Sequence, residues 1–175
     1  MLLTGTFRRS IDEKLRFAIP KSLRDAFGFP QNSVLYLAPG TDGTLALYPE
    51  QSFSRLAEKL EQGPPNAKEV RAFSRLFFAQ VQRVEVDKLG RVRLPAETAQ
   101  LVSVQKEIIL LGVHDHMEVW DTEHWDAYLS RTQPHYDELA DRAFSGRPAP
   151  TAPAASDNDP FAEAHDVHAR PAQPR

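Results

Sequence analysis

Val84-Glu85-Val86-Asp87-Lys88-Leu89-Gly90-Arg91-Val92-Arg93-Leu94-Pro95 decides the fold, because a diverged copy, Ser10-Ile11-Asp12-Glu13-Lys14-Leu15-Arg16-Phe17-Ala18-Ile19-Pro20, stands earlier in the same chain. At a constant offset the two share an aliphatic residue before the Asp, an Arg four residues after it, and an aliphatic-Pro pair at the end. In the later copy Val84 and Val86 alternate with polar residues, as do Val92 and Leu94, so each arm reads as a half-buried strand of period two. Asp87 to Arg91 is then a turn, and each copy is expected to be a hairpin with a charged tip. Gly90 can supply the positive φ that a loop of three to five residues needs, and the Asp87 side chain can bond back to the backbone and fix the turn.

The repetition runs on past the tips. A short helix is expected after each Pro, over Lys21 to Phe27 and Ala96 to Val102, followed by the apolar runs Val34 to Leu37 and Ile108 to Leu111. Further on, Tyr48 and Phe53 align with Trp120 and Trp125 once the offset drops by three. That drop has a visible cause: the loop Pro39 to Thr44 has six residues where His114-Asp115-His116 has three. Two copies of one unit in a chain suggest an internal pseudo-twofold. The expected architecture is α+β and β-rich, divided as a first repeat over 1–62, a linking helix over 63–79, a second repeat with a C-terminal helix over 80–145, and a tail over 146–175.

Between the repeats, Asn66 and Glu69 have capping-box spacing, so a helix should run from about Ala67 to Ala79. Its Val70, Phe73, Leu76, Phe77 and Phe78 are too many for one narrow stripe, so it should pack on two sides, against the core, a neighbouring subunit, or both. Asp121 is a candidate N-cap for a helix bearing Trp125 and Tyr128, and Gly28 a candidate C-cap for the first short helix. The thirty residues from Gly146 include six Pro and eight Ala, a composition that cannot build a core and reads as a disordered, mildly acidic tail.

The chain has 41% apolar residues, enough for a core of about 130 residues, and no cysteine, which excludes a disulfide frame and thiolate chemistry. No apolar stretch suits a signal peptide or a membrane span, so a cytoplasmic protein is expected. Net charge is −3, which at first sight argues against a polyanionic partner. Its distribution argues the other way. Residues 1–30 carry six basic against three acidic groups, residues 71–95 six against two, and residues from 134 onwards four against seven. Both tips are therefore basic and the end of the chain acidic, and the local field is what steers a partner.

No phosphate loop, paired-carboxylate or nucleophile constellation is present, so neither an enzyme nor a small-molecule substrate or cofactor is expected. His114-Asp115-His116 could be considered for metal but reads as an exposed hairpin turn. Trp120 and Trp125, opposite Tyr48 and Phe53 in the repeat, read as core. The arginines of the tips are harder to dismiss. A turn needs Asp or Gly, but not an Arg at one fixed place in both copies. Arg16 and Arg91 are candidates for contact with double-stranded DNA, because a two-stranded ribbon enters the major groove and Arg pairs in bidentate fashion with guanine. The alternative is a local ion pair of Arg16 with Asp12 and of Arg91 with Asp87. Arg8, Arg9, Lys14, Lys21, Lys88 and Arg93 would hold phosphates, and Arg24 is counted with the DNA-binding set; Asp12, Asp87 and Gly90 shape the turns.

Over roughly residues 1–133 the layout resembles the MraZ family, bacterial transcriptional regulators built from two Asp-x-x-x-Arg repeats of the AbrB and MazE type. The matching features are Gly5, then Asp12, Lys14, Arg16, Pro20 and Arg24, and in the second copy Asp87, Gly90, Arg91 and Pro95. The resemblance implies a double-split barrel of the swapped-hairpin type. It also implies a sequence-specific, nucleoid-associated regulator of the division and cell-wall gene cluster, assembled as a homo-oligomeric ring on direct repeats in its own promoter. The rival from another class is an antitoxin-like protein-interaction module using the acidic tail. Leu15 stands where the family's first motif has Gly; a positive φ there would cost on the order of 1 kcal/mol or force a different turn.

Overall fold

The structure, a computed structural model, describes residues 2–28, 33–62, 68–104 and 106–145; the expectation for the tail lies outside them. The chain divides into two compact units, residues 1–134 and 135–175. In the first, β1 (Thr6–Ser10) and β2 (Arg16–Ala18) flank the first tip, and α1 (Lys21–Phe27), β3 (Val34–Pro39), β4 (Leu45–Pro49) and α2 (Glu50–Glu61) complete the repeat. After α3 (Lys68–Gln80), the second copy runs β5 (Gln82–Glu85), β6 (Arg91–Arg93), α4 (Ala96–Leu101), β7 (Glu107–Val113), β8 (His116–Asp121) and α5 (Thr122–Thr132). Helix α6 (Tyr136–Ser145) belongs to the second unit, with Glu138 3.7 Å from His135 and 3.8 Å from Arg142.

The strands form an antiparallel six-stranded sheet in the order β1-β7-β8-β4-β3-β5 and a two-stranded ribbon β2-β6. This corrects the simple hairpins expected from the two tips. The arms of each tip do not form a ladder with one another: β1 pairs with β7 and β5 with β3, while β2 and β6 pair together. Only the bridge Val86↔Val92 closes back across the second tip. Each repeat thus lends its first strand to the sheet beside the other repeat's third strand, in a pattern that a twofold relates: β1-β7 answers β5-β3, and the axis crosses β2-β6 at Phe17↔Val92 and β4-β8 at Ala46↔Glu118. The result is an α+β tandem-repeat fold around one core.

That core is built by the alternation the sequence shows. Phe17, Val84, Val86, Val92 and Leu94 all point inward, with Leu35, Leu37, Leu45, Leu47, Ile108 and Leu110 from the sheet. Fully burying a side chain of this size contributes about 1.5–3 kcal/mol, so both copies are held chiefly by what they bury in each other. A second cluster gathers Ile109, Leu111 and Trp120 beneath Trp125 and Tyr128 of α5, which makes both tryptophans packing residues. Helix ends follow their caps: the Asp121 carboxylate accepts from the Glu123 and His124 N–H groups, and Gly28 takes φ 63°.

Helix α3 occupies most of the span expected of it, the capping position Asn66 lying outside the described residues, but among the described residues it does not bury two sides. Phe77 is buried beside Phe53, whose ring stacks on Tyr36 at 4.5 Å, whereas Phe73, Leu76 and Phe78 are exposed. Among the described residues nothing covers the face opposite Phe77.

Candidate nucleic-acid interface

Both tips fold into the same loop. In the first, Asp12 Oδ1 accepts the Lys14 and Arg16 N–H groups, each at 2.9 Å, and Oδ2 receives Arg16 Nε and Nη2, each at 2.8 Å. In the second, Asp87 Oδ1 accepts the Leu89 and Arg91 N–H groups at 2.9 Å, and Oδ2 receives Arg91 Nε and Nη2 at 2.8 Å. The backbone bonds match as well: Leu15 N–H to Asp12 O and Gly90 N–H to Asp87 O are both 2.8 Å. The Asp-x-x-x-Arg spacing is therefore a loop-closing device, and the local ion pair weighed for both arginines is formed. The Arg16 side chain holds the Asp12 carboxyl below its usual range. At Asp87 burial pushes the carboxyl up, but the Arg91 backbone and side-chain bonds outweigh it and the net direction is down.

Leu15 does not force a different turn. It takes φ 58° where Gly90 takes φ 74°, and the loop around it is unchanged. Its side chain packs on the main core, whereas Gly90 is buried beneath the guanidinium of Arg24. Each loop is also tied to the other repeat just before the Pro: Ile19 N–H donates to Gly90 O at 2.9 Å, and Leu94 N–H to Leu15 O at 2.8 Å.

Between the loops runs the ribbon. Its inner face is Phe17 opposite Val92; its outer face sets Arg16 opposite Arg93 and Ala18 opposite Arg91. Lys14 and Lys88 are exposed at the tips and Lys21 in the first turn of α1, and with Arg93 they form no ion pair among the described residues. The remaining candidates are placed differently. Alternation along β1 sends Arg8 and Arg9 to opposite sides, Arg8 to Glu107 at 3.2 Å and Arg9 over the Phe7 ring. Arg24 is half-buried, its Nε donating to Ile19 O at 3.2 Å.

No group of three His, Asp or Glu among the described residues could hold a metal ion. His116 nevertheless differs from the exposed turn expected. The turn is the two residues His114-Asp115, so His116 opens β8 opposite Val113, stacks on Tyr48 at 4.8 Å, and lies between Asp115 and Glu118 at 3.1 and 3.6 Å. Burial pushes its pKa down, but the two carboxylates outweigh this and the net direction is up.

A family model described as "MraZ protein, putative antitoxin-like" matches residues 2–76 and again 77–146. A "Transcriptional regulator MraZ" of Heliobacterium modesticaldum is 33% identical over 141 residues, 81% of this chain and 96% of the relative. One of Finegoldia magna is 35% identical over 140 residues, 80% of this chain and 95% of the relative. Among solved structures, the solution structure of PHS018 from Pyrococcus horikoshii is similar with a TM-score of 0.34 at 14% identity, covering 66% of this chain and 96% of that one. These relatives are named as regulators of transcription and not as a class of enzyme. On the twofold match of the family model and the identity over four fifths of its length, the chain belongs to the MraZ family.

Proposed function

We propose that this transcription regulator acts by sequence-specific binding of double-stranded DNA, with the β2-β6 ribbon and its two loops as the reading head. The carrying observation is the outer face of that ribbon, where Arg16, held by Asp12, faces Arg93, unpaired among the described residues, across the strands. An oriented guanidinium beside a free one on a single exposed face suits a polyanion, with one group to read and the other to hold phosphate. A two-stranded ribbon also has the width of an element that fits the major groove. The ion pairs are compatible with readout. Asp12 and Asp87 engage the Nε–Nη2 side of each guanidinium, which leaves the Nη1–Nη2 end for guanine O6 and N7 while the carboxylate fixes its direction. Lys14, Lys21, Lys88 and Arg93 supply phosphate contacts. Arg8, drawn to Glu107, contributes less.

We further propose that copies close into a ring, with the exposed Phe73, Leu76 and Phe78 of α3 in the contact between subunits, and that the ring binds direct repeats in the promoter of its own division and cell-wall gene cluster. A cytoplasmic, nucleoid-associated protein follows from that. Among the described residues no helix is long and apolar enough to cross a membrane. The antitoxin-like alternative rests on the tail, outside the described residues.

The test is affinity for the chain's own promoter DNA and for a scrambled duplex across a salt series. Arg16→Ala or Arg91→Ala should erase the preference, each base contact being worth about 1–3 kcal/mol of discrimination. Lys88→Ala should weaken both duplexes alike and flatten the salt slope by about one unit. Folded arginine variants that keep the preference would refute readout by the loops, and light scattering that finds a monomer at micromolar concentration would refute the ring.

A further inference from the structure

We infer that Arg24 is a positioning residue: it braces the second loop and fixes the direction of Arg91, the task that Leu15 performs from within the first loop. The inference rests on the DNA-binding reading above. Its starting point is a mismatch between the repeats. Residues 75 apart are equivalent through this region, so Gly90 answers Leu15, Ala99 answers Arg24, Ala96 answers Lys21 and Arg93 answers Ala18. A Cβ added at Gly90 would lie 2.6 Å from Arg24 Cζ and 2.7 Å from its Nε and Nη1. The guanidinium of α1 is thus laid flat on the backbone of the other repeat's tip. It is held there by a closed circuit: Arg24 Nε donates to Ile19 O, and Ile19 N–H donates to Gly90 O.

At the equivalent place in the first loop the same room is managed the other way round. Leu15 fills it from the loop side, packed on the core that includes buried Ala99, the small residue that stands in the place of Arg24. Small loop residue with large helix residue in one half answers large loop residue with small helix residue in the other. The hydrogen bonds of the two loops nonetheless agree within 0.1 Å, so both solutions hold the same loop shape. They differ in what does the bracing: Arg93 stands opposite Arg16 on the ribbon beside the first loop, while Arg24 lies over Gly90 of the second, where Arg91 faces Ala18. The brace under Arg91 is therefore a guanidinium from α1, and the one under Arg16 is the loop's own Leu15.

A mutant cycle on the full-length protein tests this, with the chain's own promoter fragment and a scrambled fragment as probes. Arg24→Ala should lower the preference for promoter DNA about tenfold at an unchanged salt slope, because aim is lost and no phosphate contact is. Gly90→Leu should do the same by displacing the guanidinium. Combining Arg24→Ala with Gly90→Leu rebuilds the first loop's solution in the second, and should return the melting temperature to about the wild-type value and the preference to within about threefold of wild type. A salt slope reduced by about one unit in Arg24→Ala, or a double variant whose melting temperature recovers while its preference does not, would mean that Arg24 touches DNA itself, and overturns the inference. So would an Arg24→Ala protein with unaltered preference. Failure of the underlying reading looks different: wild type then shows no preference at all, while the melting temperatures still report whether the brace exists.

Discussion

Replacing Leu15 by Gly pits two effects against each other, and the structure decides which is larger. On one side, Leu15 sits at φ 58°, a region where Gly is relieved by on the order of 1 kcal/mol relative to a side chain with a Cβ. On the other, its side chain is half-buried on the main core, so about half of the 1.5–3 kcal/mol for full burial of a Leu is lost. Gly also frees the unfolded chain, at about 0.5–1 kcal/mol. Packing and chain entropy together exceed the relief, and the net cost is about 1 kcal/mol. In a unit of this size that lowers the melting temperature by about 3–5 °C. Promoter affinity should stay within about twofold of wild type, because the loop with Leu already has the hydrogen bonds of the loop with Gly. Thermal melts by circular dichroism measure the first quantity and a binding titration the second. A rise in melting temperature would mean that backbone strain outweighs packing, and a marked gain in affinity would mean that Leu15 holds the first loop off its working shape; either result sinks the reasoning.

Three further outcomes follow from the same geometry. Asp87→Ala strips the acceptor from two backbone N–H groups as well as from Arg91, so in denaturant melts it should cost about 2 kcal/mol, against about 1 kcal/mol or less for Arg91→Ala; equal losses would reduce Asp87 to a mere ion-pair partner. His116, facing Asp115, Glu118 and Tyr48 with Arg55 on the far oxygen of Asp115, has a folded pKa above its ordinary 6.5, so its contribution is complete below that pH and fades as pH rises through the folded value; wild type should lose more melting temperature above pH 6.5 than His116→Gln does. Gly112→Ala would put a Cβ 2.7 Å from the Thr4 nitrogen and 2.9 Å from the Leu3 carbonyl carbon, backbone atoms that cannot turn aside, so the cost should be about 2 kcal/mol or more, with faster amide exchange at Leu3 and His114.

What the sequence made legible is what depends on one chain segment at a time. Period two named the inward residues of β5 and β6, Asp121 and Gly28 announced helix ends, and the spacing of Asp87 and Arg91 offered the ion pair that forms. What it left open is what depends on a neighbour. Alternation says which face of a strand is buried and is silent on which strand lies beside it, so a hairpin and an interleaved pair of repeats bury the same Val84 and Val92. The interleaved form is favoured because it lets Phe17 and Val92 meet on the axis inside one core, which two separate hairpins could not enclose. His116 was misjudged for a related reason: the loop is two residues and not three, and one residue of register carries a side chain to the other face, here onto Tyr48.

The arginines show the same limit in the site itself. Arg16 and Arg91 looked like the charge of the reading head, yet each is matched by its own Asp, and the unmatched charge around the ribbon and its loops belongs to Lys14, Lys21, Lys88 and Arg93. On the proposed DNA-binding reading, attraction and readout are thereby divided between different residues. The lysines and Arg93 supply a field that any duplex feels and that salt screens, while the carboxylate-held arginines, nearly neutral as pairs, add little to that field and are kept in one orientation. An arginine free to swing would bind phosphate as readily as guanine; one held on two nitrogens by Asp12 or Asp87 has lost that choice before it meets DNA. On this reasoning Asp87→Asn, which keeps the shape of the side chain but not its charge, should raise affinity for scrambled duplex while lowering the preference for promoter DNA. A variant that lost both in proportion would show that the pair serves the fold of the loop and not the direction of the arginine.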